Sequence, residues 1–180
     1  MINLATVSLV LGSVIGAFCI FLVLSPAMAR NTLLSLPRNK VAGWIFSGVG
    51  LLWAARLLWL TPLGRFEDLK PVLVVLAPVT FLFIVFFMDE LLGARALGGM
   101  FVLIPAPVLE ATRGSDTPFR LVIVTLAYVM AVQGIALVLS PYLLRKEVGV
   151  LLGSNPVCRV WGFIGTAFGV MLIILGVAVF

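Results

Sequence analysis

The stretch Leu22-Val23-Leu24-Ser25-Pro26 returns as Leu137-Val138-Leu139-Ser140-Pro141. Each copy ends a long apolar run and precedes a short basic connection to another apolar run. A hydrophobic chain that repeats such a unit reads as a polytopic membrane protein built from helical hairpins, two of them in the same sense. Ser25 and Ser140 are suited to cap a helix whose first residue is Pro26 or Pro141, because proline lacks the N–H that would have no partner there. In the second copy Leu143, Leu144, Val148, Leu151 and Leu152 recur at helical spacing around Arg145, Lys146 and Glu147. That is the pattern of a short amphipathic helix lying among headgroups, and one such helix is expected in each of the first and third hairpin connections. Gly153 is placed to end it, and Pro156 to start the last span with Ser154 or Asn155 as its cap; Pro37 holds the matching place in the first copy.

Composition gives the same class independently. Hydrophobic residues make up 63% of the chain, charged residues 11%, and the mean hydropathy is +1.27, far from soluble usage. A hydrocarbon layer about 30 Å thick takes roughly 20 apolar residues per helix. The candidates are 4–24, 41–60, 72–88, 97–109, 121–139 and 160–176, of which the fourth is short enough to be re-entrant instead. None alternates with period two, so the expected fold is all-α, a polytopic bundle of six transmembrane helices in three hairpins, rather than a barrel. One membrane domain over 1–180 then comprises repeat one (4–60), a central hairpin (72–110) and repeat two (121–180). Ala27-Met28-Ala29 has the form of a signal cleavage site, but no Lys or Arg precedes the apolar run and the run exceeds a usual signal core, so it is expected as the first span.

With six crossings, Arg30, Arg38, Lys40, Arg95, Arg145, Lys146 and Arg159 fall on one side, and Arg65, Lys70, Arg113 and Arg120 on the other. The positive-inside bias assigns the first side to the cytoplasm and both termini to the periplasm of a bacterial inner membrane. Lys40-Val-Ala-Gly43, Arg95-Ala-Leu-Gly98 and Arg159-Val-Trp-Gly162 each place a cation three residues before a glycine where an even-numbered span begins. Trp44 and Trp161 near those starts, and Trp59 near the opposite surface, suit aromatic belts.

Gln133-Gly134 through Pro141 to Pro156, Arg159 and Gly162 resembles the YjeT-like family of small two-span bacterial inner-membrane proteins. Gly16 through Pro26, Leu36-Pro37 and Lys40-Val-Ala-Gly43 resembles it again, with Lys40 where the family has arginine. The likeness covers the outer two thirds of the chain. It implies tandem copies of a two-span unit with an accessory role among membrane proteins, and it supplies no catalytic residue.

Ser8, Gly12 and Gly16 form a small-residue stripe on the first span, Gly165 and Gly169 another on the last, and Ala127 and Ala131 mark the fifth. Such faces let helix backbones approach closely, either within the chain or against another subunit. Arg56, inside the outer end of the second span, is expected to pair with Glu110 or to snorkel to phosphate. Asp89, Glu90 and Arg95 form a candidate cluster at the cytoplasmic interface, and Pro78 and Pro105-Ala-Pro107 free backbone carbonyls in the central hairpin. The chain has no histidine, and Cys19 and Cys158 lack metal-site spacing, so no cofactor is expected. The net charge of +5 is spread over short loops, which points to anionic headgroups rather than nucleic acid. The reading favoured by these features is a non-catalytic integral membrane subunit or assembly partner of a larger complex. The alternative is a small transporter or channel, whose polar lining would have to come from Thr6, Thr80, Thr125, Gln133 and Thr166. A membrane enzyme has least to draw on, for no catalytic constellation is recognisable.

Overall fold

A computed structural model describes residues 3–36, 39–62, 64, 67, 70–87, 92–115 and 117–179. The described residues form helices joined by short turns, with no strand among them. In chain order these are α1 (Leu4–Leu24), α2 (Pro26–Ser35), α3 (Lys40–Leu60), α4 (Lys70–Phe87), α5 (Leu92–Leu103), α6 (Pro105–Thr112), α7 (Arg120–Leu139), α8 (Tyr142–Leu151) and α9 (Asn155–Ala178). Among the described residues, five stretches are long and apolar enough to cross a membrane: α1, α3, the joined α5 and α6 (Leu92–Thr112), α7 and α9.

The central hairpin departs from the sequence reading in two ways. Its second segment, expected over 97–109, runs as helix from Leu92 to Thr112, long enough for a full crossing. The apolar pattern stops at Arg95 and Glu110, but the helix does not, because a charge within a turn or so of a helix end reaches the headgroups along its own stem. Pro105 explains the break at Ile104: proline removes one intrahelical donor, and α6 restarts with proline in its first turn. The first segment, α4, is the thin one, with Pro78 in its interior.

Both Ser-Pro joints sit between helices. α2 starts on Pro26, with Ser25 as the flanking residue, and α8 starts one residue after Pro141. Neither joint has a serine side chain bonded to the following helix as a cap. The side-chain cap appears instead at α3, where Asn39 Oδ1 accepts from the Ala42 N–H at 3.2 Å. Pro37 lies outside the described residues.

Three hairpins would be expected to press α1 on α3 and α7 on α9. The close contacts run otherwise: α1 lies chiefly along α9, α7 along α5, and α3 along α5 with α4 outside it. Glycines explain the choice. A Cβ on Gly162 would fall 3.1 Å from the Cys19 carbonyl oxygen and 3.2 Å from the Val23 nitrogen. A Cβ on Gly98 would fall 2.8 Å from the Gly134 carbonyl oxygen and 3.0 Å from the Val138 nitrogen. Gly134 and Val138 stand to the second Leu-Val-Leu-Ser-Pro as Cys19 and Val23 stand to the first, so the two crossings use corresponding atoms. Gly43, the third glycine of the cation-x-x-glycine set, meets Gly93 and Leu92 at the start of α5.

Two buried clusters hold the bundle. At the end where α5 and α9 begin, Leu22, Ala29, Ala94, Leu137, Leu144, Val148, Leu152 and Cys158 pack together, joining α2 to α8 across the ends of α1 and α7. Toward the other end, Leu4, Val7, Val108, Ile123, Ala127 and Leu172 join α1, α6, α7 and α9. α8 gives its buried face, Leu144 and Val148, to the first cluster and leaves Arg145 and Lys146 exposed.

Candidate functional site

The small-residue stripes meet one another. A Cβ on Gly12 would lie 2.8 Å from the Gly169 carbonyl oxygen, and one on Gly169 would lie 2.9 Å from the Gly16 backbone nitrogen. A Cβ on Gly165 would overlap Cys19 Sγ. Ser8, fully buried, donates from Oγ to the Leu172 carbonyl at 2.6 Å. These residues therefore form the α1–α9 seam, and their chemistry is that of packing.

The structure does not bring Arg56 and Glu110 together as an ion pair. α3 carries Arg56 on an exposed face, and Glu110 is exposed on α6, which packs on α7, α1 and α5. Each carboxylate or guanidinium is then free to reach headgroups along its stem. Asp89 and Glu90 lie outside the described residues, so of that cluster only Arg95 is placed.

Arg95 is the informative member. It stands one turn inside α5, half-buried, and its Nε has essentially no exposed surface and no hydrogen-bond partner among the described residues. Arg30 on α2 has an Nε in the same condition. Buried donors are almost always satisfied, and an unsatisfied one costs roughly 1–3 kcal/mol. Arg95 also has space beside it. A cavity of about 550 Å³ opens between α3, α5 and α7, with Ile84 of α4 at its rim and Arg95 in its wall. Apart from Arg95 and Ser47 the wall is hydrocarbon or bare backbone, including Phe46, Leu51, Met100, Leu103 and Ile135.

Two of the wall residues are glycines with no tight contact to explain them. A Cβ on Gly99 would meet nothing within 4 Å, and one on Gly50 would meet only Met100 Cγ at 3.8 Å. Sequence reasoning singled out Gly98 and passed over Gly99, because a glycine beside a cavity and a glycine at a helix crossing look alike in one chain. The signal available was the pair itself: only one of two adjacent helix residues can face the same neighbour.

A second hollow of about 610 Å³ lies between α7, α8 and Phe101 of α5. Gln133, an uncharged polar residue of α7, borders it and donates from Nε2 to Glu147 Oε2 at 2.5 Å. That bond ties α8 to the middle of α7 and takes up the amide expected to line any polar path. Among the described residues, no group of three or more His, Cys, Asp and Glu side chains is placed to hold a metal ion. No protein-family model, curated protein or solved structure matches this chain.

Proposed function

We propose that this chain is a six-span, non-catalytic subunit that stabilises a larger membrane protein complex, made by tandem duplication of a two-span unit and oriented with its basic joints in the cytoplasm. The observation that carries the proposal is α4. Its half-buried side chains, Lys70, Ala77, Thr80, Phe81, Ile84 and Val85, share one face, and Phe81 is the residue that approaches Gly48 of α3. On the opposite face Val72, Val75, Val79, Leu82 and Phe86 recur at alternating spacings of three and four residues, and all are exposed, at 53%, 64%, 41%, 52% and 74%. That spacing is the seam of a helix pair. In lipid an apolar face gains little from burial as such, so a seam of this regularity is suited to knobs-into-holes packing with a helix of another subunit.

Duplication is supported by the matched crossings at Gly98 and Gly162, and by Ala94 and Cys158, each just before the arginine of its set and both buried in one cluster. The short helices α2 and α8, which expose Asn31 and Thr32 and Arg145 and Lys146 respectively, would then lie at the cytoplasmic interface. A transport path finds less support, since the two clefts described above are lined mainly by hydrocarbon and Gln133 is already bonded.

The test is a photo-crosslinking residue at Val79, in the seam, or at Val74, off it, followed by purification in mild detergent and mass spectrometry. A discrete adduct with another membrane protein from Val79 and not from Val74 supports the proposal. Adducts with lipid alone from both positions, together with a particle containing only this chain, overturn it.

A further inference from the structure

We infer that the cavity between α3, α5 and α7 is a binding site for one anionic phospholipid, its acyl chain in the groove and its phosphate on Arg95. Three observations converge on that occupant. First, the volume of about 550 Å³ lies within the roughly 300–1,000 Å³ of ligand pockets, and a wall so poor in polar atoms suits hydrocarbon.

Second, the groove has the length of a single leaflet. Its wall on α5 runs from Leu92 to Leu103, about 16 Å at the ~1.5 Å rise of a helix, against about 15 Å for half of the hydrocarbon layer. It begins at the start of α5, where Arg95 lies, and it stops just before the α5–α6 break at Ile104. A transmembrane helix of another subunit would need a groove about twice as long, so the lipid is the better fit.

Third, the cation lies where the headgroup would. Arg95 lines the groove, its buried Nε meets no acceptor among the described residues, and a phosphodiester offers charged oxygens suited to the rest of the guanidinium. Gly50 and Gly99 then have a role: without side chains and without a helix crossing to serve, they keep the groove open. A glycine inside a helix costs about 1 kcal/mol relative to alanine, a cost that neither residue offsets through close packing.

The experiment reconstitutes the full chain into vesicles containing equal amounts of phosphatidylglycerol and phosphatidylcholine, extracts it in mild detergent, and reads retained lipid by native mass spectrometry. The wild-type chain is expected to retain phosphatidylglycerol in preference. Arg95→Gln should cut that preference by roughly tenfold, the worth of a charge-assisted hydrogen bond, while Arg159→Gln, at an exposed arginine in the corresponding position of α9, leaves it unchanged. Gly99→Leu should abolish retention of both lipids by filling the groove. Gly99→Ala, too small to fill it, retains them and controls for loss of the glycine backbone. Equal retention of the two lipids by the wild-type chain, an unaltered preference in Arg95→Gln, or equal losses in Arg95→Gln and Arg159→Gln would overturn the inference. So would a polypeptide displaced by Gly99→Leu in place of lipid.

Discussion

Alanine at Gly98 and alanine at Gly99 are expected to act in opposite directions although the residues are neighbours on α5. The Gly98 Cβ would sit 2.8 Å from the Gly134 carbonyl oxygen, 2.9 Å from Leu137 Cβ and 3.0 Å from the Val138 nitrogen, where ordinary contact begins at 3.4 Å. Two of these three atoms are backbone, so no rotamer change relieves the overlap and the helices must part by about 0.6 Å, the difference between 3.4 and 2.8 Å. A gap of that order forfeits roughly a quarter to a half of the dispersion well for the facing atoms along the crossing, and inserted methyl groups in tight packing cost about 1–3 kcal/mol. Gly99→Ala meets no such resistance and gains up to about 1 kcal/mol of helix propensity. The two variants should therefore differ by roughly 1–4 kcal/mol. Reversible unfolding in mixed micelles of mild detergent and dodecyl sulfate, followed by far-UV circular dichroism, measures the difference. The α5–α7 crossing is refuted as the cause if Gly98→Ala is as stable as Gly99→Ala. Gly134→Ala offers an internal check, because its Cβ would lie 2.7 Å from the Gly98 carbonyl oxygen, and its effect should not add to that of Gly98→Ala once the helices have already separated.

Ser8→Ala removes the 2.6 Å bond to the Leu172 carbonyl and should destabilise the α1–α9 seam by about 1 kcal/mol; Ser13→Ala, whose exposed hydroxyl bonds only within its own helix, should leave the same unfolding curve in place. Gly165→Ala should destabilise through Cys19 Sγ, and Cys19→Ala in the same chain should restore stability, with a coupling of at least about 1 kcal/mol in the double-mutant cycle; purely additive effects would exclude the contact. Gln133→Leu takes the donor from half-buried Glu147 and should cost about 1–3 kcal/mol, whereas Gln133→Leu with Glu147→Leu should come back close to the parent stability. Single cysteines replacing exposed Met28 and Val150 are expected to react with impermeant maleimide from the same side of the membrane, and reaction from opposite sides would refute the parallel duplication; native Cys19 and Cys158 are buried and should remain silent.

The joints and the contact surfaces were legible in the sequence, and the partnerships were not. Two Leu-Val-Leu-Ser-Pro copies mark the ends of α1 and α7, and the glycine three residues after each of Lys40, Arg95 and Arg159 does face another helix closely. Such a glycine declares that a backbone approaches, without saying whose, because carbonyl oxygens and amide nitrogens are the same on every candidate. Gly12 and Gly16 were thus identified as a contact face while the choice between an internal and an external partner stayed open, and only the three-dimensional packing assigns them to α9. Helix limits failed for a related reason: hydropathy ends α5 at its first charge, but Arg95 belongs to the helix. Arg56 and Glu110 share an expected depth, yet depth fixes one coordinate of a side chain on a helix and leaves its azimuth free, so exposed positions on α3 and α6 were equally compatible with the pattern.

The exchange of partners has a consequence for how the bundle is assembled. If α1 and α7 are copies of one helix, each needs a helix with cation-x-x-glycine at its start, and α5 meets that need for α7 as α9 meets it for α1. α5 precedes α7 closely in the chain, so that crossing closes a short loop. α1 must wait for the last helix, which closes nearly the whole sequence, and the closure entropy rises only slowly with loop length. The late contact is also the more heavily built one: Gly12, Gly16, Gly162, Gly165, Gly169 and Gly176 all belong to α1 or α9, and Ser8 adds a buried hydrogen bond there. The stripe thus compensates for remoteness in sequence with length of close contact. Once it has formed, the α2–α8 contact follows geometrically, because the ends of α1 and α7 have been brought into one buried cluster with the start of α9. α4, with no described side chain in either cluster, takes no part in this closure and remains available on the outside of α3.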